Sequence, residues 1–379
     1  MLEFIRQVGP VSRAQIARDS GLSKPTVSQA LAALERAKLV REAGRTSGGK
    51  GPTAILYALN PRAGWVVGLD VGRDRVRAAI ADLTGEIVAR TDERARVRSA
   101  DSLIGQLGEI AHALASEAGI RRNQITVAVV GSPGVFEASR GQVVLAHNLP
   151  GWGREGLAEV VQRALGTRVA FENDVNLATL GERWRGLGKG VENFVYLHVA
   201  TGVGMGLVLN GELFRGSTGA AGEVGYLPLG DADPHGAKAR RRGALEGALG
   251  AEGVVTLART AGIRAPLTPR RIFDAARAGD ARALGVVQGV AQRIALAIAA
   301  IVPVVDPELV ILGGGVGRNG DLLLEPVREE LAELSPFRPR VEVSALGEDS
   351  ELVGAVSMAL QAAQEQLFAR STRMGTITV

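Results

Sequence analysis

Twice along this chain the same plan of strands and turns recurs, and a duplication of that kind leaves few folds open. In the first copy Val66-Val-Gly-Leu-Asp70 reads as a buried strand, residues 71–75 as a turn and residues 76–81 as a second strand. Asp82-Leu-Thr-Gly85 then turns the chain into a third strand, residues 86–89. In the second copy the strand at 194–199, the turn Thr201-Gly-Val-Gly204, the strand at 205–209, the turn Asn210-Gly211 and Leu213-Phe214 repeat the plan. Each copy is answered later by an apolar strand running into glycines, Val127-Ala-Val-Val-Gly-Ser-Pro-Gly134 and Leu309-Val-Ile-Leu-Gly-Gly-Gly-Val316. Repeated strand units followed by helices predict two similar α/β lobes with a cleft between them, and ligands favour such clefts. Fifty glycines and 4% aromatic residues suit many tight strand-to-helix turns better than an aromatic-rich β-sandwich. At 379 residues and 46% hydrophobic, the chain suits two or three domains with a sizeable core, which excludes general disorder.

The first 62 residues are of another kind. Ten Lys/Arg stand there against four Asp/Glu, a net of +6 in a chain whose total is +4, so the remainder carries −2. A basic head on a slightly acidic body points to a polyanion at one end. Leu2, Ile5 and Val8 have helical spacing, and Gly9-Pro10 ends that helix. Ser12, three residues before Gln15, opens a second short helix, and Gly21 breaks it. Ser23 caps a third helix with Pro25 in its first turn and Val27, Leu31 and Leu34 as its buried stripe. Lys24, Thr26, Ser28 and Gln29 are left on or beside the open face, short polar and basic side chains able to reach base edges and phosphates in a major groove. Leu39-Val40 and residues 54–59 read as two strands around a basic, glycine-rich tip that includes Arg45 and Lys50, a wing that would lie along DNA. Asn60-Pro61 marks the boundary, giving a winged helix-turn-helix over 1–62 and a two-lobed α/β domain over 63–379. The first lobe is expected at about 63–173, with a possible return of the C-terminal helix, and the second at about 174–355.

The ordered motifs of the body resemble the ROK family (repressors, open reading frames and sugar kinases), within the actin-like, sugar-kinase fold. The resemblance rests on Leu69-Asp-Val-Gly72, Gly131-Ser-Pro-Gly134, Asn148-Leu-Pro-Gly-Trp152, Glu172-Asn-Asp174, Thr201-Gly-Val-Gly204, Gly222-Glu-Val-Gly-Tyr226, Gly243-Ala-Leu-Glu246 and Gly313-Gly-Gly315. It spans essentially the whole chain, because a winged helix-turn-helix head distinguishes the family's regulators from its kinases. A sugar presents adjacent hydroxyls that donate and accept, so its pocket needs carboxylates and carboxamides. The resemblance assigns that task to Asn148, Asn173, Asp174, Glu223 and Glu246, with the Tyr226 hydroxyl as a further donor. Asp174 also matches the base that takes a proton from the sugar hydroxyl in the family's kinases.

Two departures bear on the class of activity. The kinases carry Asp-x-Gly-Gly-Thr-Lys at the first phosphate turn, where this chain has Asp70-Val-Gly72-Arg73-Asp74-Arg75. The bulk of Arg73 and the charge of Asp74 both oppose nucleotide phosphates, and Arg73 and Arg75 offset that charge in part. Many family members also bind zinc through three cysteines and a histidine; those positions here are Ala237, Ala239, Ala244 and Tyr226, and the chain has no cysteine. No metal and no cofactor are therefore expected.

The resulting expectation is a sugar-responsive DNA-binding regulator, a repressor of carbohydrate-metabolism genes. It would bind a double-stranded operator and a neutral monosaccharide as a homodimer or homotetramer. Two alternatives stay open: an ATP-dependent sugar kinase with an accessory DNA-binding head, and a regulator controlled by a partner protein. The N-terminus lacks the basic-then-apolar run of a signal peptide. The longest apolar stretch, residues 294–305, is interrupted by Pro303 and falls short of the ~20 residues that span a bilayer. A cytoplasmic protein is expected.

Overall fold

The computed structural model describes residues 1–46, 53–137, 140–144, 146, 149–230, 233 and 235–374. Lys50 and Asn148, two of the expected site residues, lie outside the described residues. The head comprises α1 (Leu2–Val8), the short strand β1 (Val11–Ser12), α2 (Arg13–Ser20), α3 (Lys24–Arg36), β2 (Val40–Arg45) and β3 (Ile55–Leu59). β3 pairs antiparallel with both β1 and β2. Both expected caps form: the Ser12 hydroxyl accepts from the Gln15 amide at 3.2 Å, and the Ser23 hydroxyl from the Thr26 amide at 3.3 Å. Each satisfies an amide that the start of a helix leaves without a partner. Between α2 and α3, Gly21 takes φ 68°, a left-handed turn that a Cβ would strain. Ile16, Val27, Leu31, Leu34 and Tyr57 are buried between the three helices and β3.

Asn60 fixes the exit from the head. Its side chain donates to the Lys38 carbonyl at 2.8 Å and accepts from the Arg62 amide at 3.2 Å. The chain then builds β4 (Trp65–Val71), β5 (Arg75–Asp82), β6 (Ile87–Arg94), α4 (Ala100–Glu117), β7 (Ile125–Ser132), the hairpin β8 (Val135–Glu137) and β9 (Gln142–Val144), α5 (Leu157–Leu165) and β10 (Arg168–Asn173). After α6 (Asp174–Arg185) come β11 (Phe194–Val199), β12 (Val203–Leu209), β13 (Glu212–Leu213), then α7 (Ala237–Arg242), α8 (Ala244–Leu249), α9 (Ala251–Thr260), α10 (Pro269–Arg277) and α11 (Ala281–Val305). The chain closes with β14 (Leu309–Gly313), α12 (Gly314–Gly317), α13 (Gly320–Leu334), β15 (Arg340–Val343) and α14 (Ser350–Met374).

The duplication holds at the level of topology. The first sheet runs β10-β7-β4-β5-β6 and the second β13-β12-β11-β14-β15. In each, the first three strands form an antiparallel meander and the last two add parallel to its first strand. The glycine motifs therefore sit where β7 and β14 end, at equivalent edges of the two sheets. One strand is longer than its apolar residues indicate: β6 continues past Ala89 to Arg94. Its last residues, Arg90-Thr-Asp-Glu-Arg94, are all charged or polar on the free edge of the sheet, so they carry no apolar signal while their backbones still pair with β5.

α14 returns from the second sheet to pack on β4 and β7, and α6 packs on β11 and β12, so this helix pair lies between the two sheets. Leu177 of α6 and Val356 and Leu360 of α14 share one core with the head residues Ile5, Leu31 and Tyr57. The residues 294–305 expected to fall short of a span belong to the longer helix α11, long and apolar enough to cross a membrane. One face of α11, with Val290, Ile294, Ile298 and Ile301, is buried in the core of the second lobe, which accounts for its apolar character.

Candidate functional site

The cleft is built where β10 passes into α6. Asn173 is the N-cap: its side-chain oxygen accepts from the Val175 and Asn176 amides at 2.9 and 3.1 Å, and its amide donates to the Gly134 carbonyl at 3.1 Å. Its carboxamide thus holds the helix start and ties it to the Gly131-Ser-Pro-Gly134 turn, a structural task that the sugar assignment did not include. Asp174, the next residue, accepts from the Val175 amide at 2.9 Å. Burial holds its carboxyl above the usual carboxylate range, and His198 would pull it the other way only when protonated. Glu223 is also raised, by burial and then by Asp174 and Glu246; Tyr226 is raised by burial and then by Glu223 and Glu246. Their packing is close: a Cβ on Gly225, between Val224 and Tyr226, would lie 3.4 Å from the Glu246 Cβ, one on Gly202 would lie 2.7 Å from Glu246 Oε2, and one on Gly204 would lie 3.1 Å from Val175, the residue after Asp174. Glu246 Oε2 accepts from the Val203 amide at 3.3 Å in the Thr201-Gly-Val-Gly204 turn. Tyr226 is exposed, and its hydroxyl donates to the Arg241 carbonyl at 3.3 Å.

Behind these residues lies a second charged layer that the sequence reading missed. Asp70 on β4 is 7% exposed, and burial followed by the Asp174 charge pushes it up to about 7. Arg77 on β5 faces it, Nη1 to Oδ2 at 3.3 Å, and also reaches Asp92 at 3.6 Å and Glu348 at 3.1 Å. Glu351, at the start of α14, is pushed up to about 8 by burial and then by Asp70. His198 lies 3.7 Å from Glu351 through Nδ1 and is lowered from 6.5 by burial, so at neutral pH it is uncharged and does not form a true ion pair. The cation opposite Asp70 is thus Arg77. Arg73 and Asp74, on which the argument from the first turn was built, are exposed in the β4–β5 turn. Arg75, exposed as well, pairs at 2.6 Å with Asp92, the carboxylate that Arg77 also reaches.

A cavity of about 590 Å³ opens beside this layer, lined by Thr201, Asp274, Arg277, Gly315, Arg318 and Glu348 among others. Arg318 is ion-paired with Glu348, and Arg277 with Asp321 at 2.6 Å. At the positions where the resemblance places zinc ligands, Ala239 and Ala244 are buried as apolar residues. The surrounding helices are tied instead by Glu252, which accepts from Lys238 at 2.5 Å and Arg242 at 3.1 Å. Among the described residues no group of three or more His, Asp or Glu has metal-holding geometry.

On the head, Lys24, Thr26 and Gln29 are exposed on one side of α3 and Ser28 is half-buried, with Val27, Leu31 and Leu34 on the opposite side. The Thr26 hydroxyl sits 2.7 Å from that of Ser23, at the exposed N-terminal turn. Arg45 is exposed at the end of β2. A polar, basic first turn on a protruding helix has the chemistry that contacts phosphates and base edges.

Residues 66–362, most of the two-lobed body, match the sequence profile of the ROK family. The chain belongs to the ROK family. Its head, residues 2–44, matches the IclR helix-turn-helix domain. A glucokinase of Halalkalibacterium halodurans is 31% identical over 76% of this chain and 93% of its own length. A xylose repressor of Caldicellulosiruptor bescii is 27% identical over 92% of each chain, a share too large to leave out the head. Among solved structures, a ROK family transcriptional regulator homologous to the E. coli MLC protein superposes with a TM-score of 0.81 over 97% of this chain and 96% of its own, at 22% identity. That likeness establishes the ROK fold with its head.

Proposed function

We propose that this ROK protein is a sugar-responsive repressor that reads its operator through α3 and takes a neutral monosaccharide into the carboxylate cleft. The observation that carries this reading is the exposed polar turn of α3 on a helix-turn-helix head that repressor relatives share along with the body. D-xylose is the first sugar to test, because relatives that match over more than nine-tenths of this chain are named xylose repressors. Asp174, Glu223 and Glu246 suit a free sugar better than a phosphosugar, since a phosphate would meet like charge at close range. Asp70 is already engaged by Arg77, which supports regulation over phosphoryl transfer. Reading helices of this kind act in pairs on half-sites about one helical turn apart, so an even-numbered assembly acting on DNA in the cytoplasm belongs to the same proposal.

Selection of duplexes from a random pool by the full chain tests the DNA half, and thermal shift with D-xylose, D-glucose and their phosphates tests the sugar half. The expected result is an enriched two-fold-related motif and a shift with one free sugar only, because a ligand that binds the folded state alone raises its stability by mass action. Failure to enrich any motif would contradict the reading.

A further inference from the structure

The cleft and the head are joined by the helices between the sheets, and we propose that α6 carries the sugar signal to the head through the contact of Trp184 with Arg6. The inference rests on the sugar-responsive reading above and names its coupling element. α6 begins at the cleft, with Asn173 as its cap and Asp174 as its first residue, and ends at Arg185. A helix of this length reaches roughly 18 Å at 1.5 Å per residue. At its far end Arg6, from α1 of the head, lies over the Trp184 ring at 5.6 Å from the centroid, and Arg185 stacks on the same ring at 4.0 Å. Both contacts use the negative face of the indole, which attracts a guanidinium. The platform is itself held from below: Arg185 donates to the Gly85 carbonyl at 2.7 Å, and a Cβ on Gly85 would come 2.8 Å from the indole.

α6 cannot shift by itself. Where it crosses α14 the backbones touch: a Cβ on Gly354 would lie 1.7 Å from the Leu177 carbonyl oxygen, and one on Gly181 would lie 2.2 Å from that of Ser350. Such a crossing has no soft side chain to absorb displacement, so the two helices move together. The cleft half of α6 packs Val175 and Ala178 on the second sheet, against Tyr196, Val208 and Ile311. Its head half shares a core with Leu2, Phe4 and Leu360. The linker, meanwhile, is tied to the first lobe, with the Leu83 amide donating to the Pro61 carbonyl at 3.3 Å. A sugar that draws Glu223 and Glu246 of the second lobe toward Asp174 therefore pulls on the cleft end of α6 and turns the helix about its far end, where the Gly85 carbonyl of the first lobe holds Arg185, and Arg6 follows the Trp184 ring beneath it as that ring rotates.

Arg6→Ala, Trp184→Leu and Trp184→Phe in the full chain test the relay. The probes are a duplex selected by the native chain and whichever of D-xylose and D-glucose shifts its melting. Operator Kd is measured with and without sugar, and sugar Kd with and without duplex, since coupling must appear equally in both. Native coupling is expected in the usual range, roughly 5- to 150-fold. Arg6→Ala and Trp184→Leu should leave each separate affinity within about threefold while bringing the coupling factor close to 1; Trp184→Phe, which keeps a π face, should retain most of it. Arg6→Ala alters only a head side chain and carries the test if Trp184→Leu does not fold. A responsive native chain whose Arg6→Ala variant keeps the full coupling would overturn the relay alone. A native chain that no sugar affects would overturn the sugar-response reading, and the relay with it.

Discussion

Replacing Arg77 by methionine probes the electrostatics of the cleft, because most of the cost can be worked out from the one carboxyl group it touches there. The Arg77 side chain is 19% exposed and that of Asp70 9%, with 3.3 Å between them. Removing one partner of a buried pair usually costs about 3–5 kcal/mol, because an uncompensated charge is left behind. Asp70 has an escape: its pKa is already pushed up to about 7, by burial and then by Asp174, so it can take a proton instead of staying charged alone. The loss is then capped by the cost of protonating it, which grows by just over 1 kcal/mol for each pH unit above that value. Arg77→Met should accordingly cost little through this pair at pH 6, roughly 1 kcal/mol at pH 8 and roughly 3 kcal/mol at pH 9. The Asp92 and Glu348 contacts are on the partly exposed rim and should add a smaller amount that hardly varies over this range. The sign is fixed by the native shift. The folded pKa of Asp70 lies above its ordinary 3.8, so its contribution favours folding at low pH and is lost as pH rises from about 4 to 7. In the variant that window extends higher, which is why the two proteins diverge only above pH 7. Thermal unfolding at pH 6, 8 and 9 measures this. At roughly 2–4 °C per kcal/mol the extra loss should be about 2–4 °C at pH 8 and two to three times that at pH 9. Adding Asp70→Asn should remove most of the pH dependence of the difference, leaving the smaller part from Glu351, whose carboxyl, pushed up to about 8, also feels the Arg77 charge. A loss that is flat from pH 6 to 9, or one whose pH dependence Asp70→Asn leaves unchanged, would refute the reasoning.

Thr26→Ala and Gln29→Ala should relax operator preference, each by about 1–3 kcal/mol of base discrimination, whereas Arg45→Ala should weaken all duplexes alike, as binding to a set of single-base operator variants will show. Asp174→Asn should weaken the thermal shift given by sugar at least tenfold in concentration while leaving sugar-free operator binding unchanged; ATP consumption with that sugar should stay far below the ~1 per second of an ordinary enzyme. Elemental analysis should find well under one zinc per chain, and a chelator should leave the melting temperature unchanged, because alanines stand at 237, 239 and 244.

The two-sheet plan was legible because apolar strands and the glycines that end them are local signals, readable one segment at a time. The helix caps Ser12 and Ser23 were legible for the same reason. Of the cleft, Asp174, Glu223 and Glu246 could be picked out because each sits inside a motif. Arg77, His198 and Glu351 could not. Each is a polar residue flanked by apolar ones in a strand or set at a helix start, outside any motif, and only the register of β5 on β4 and the return of α14 place them together. Trp184 was hidden likewise, since its meeting with Arg6 depends on how the head packs on the body. Asn173 carries a task that the motif did not reveal: its side chain caps α6.

The central claim is that one chain links sugar in the cleft to DNA at α3. Titrating D-xylose, and in parallel D-glucose, into the complex of the full chain with its selected duplex tests that link most directly, with fluorescence anisotropy of the labelled DNA as the readout. The account predicts that one free sugar changes the operator Kd by roughly 5- to 150-fold and that its phosphate does not. An operator Kd that stays constant while the same sugar demonstrably binds the protein would contradict it.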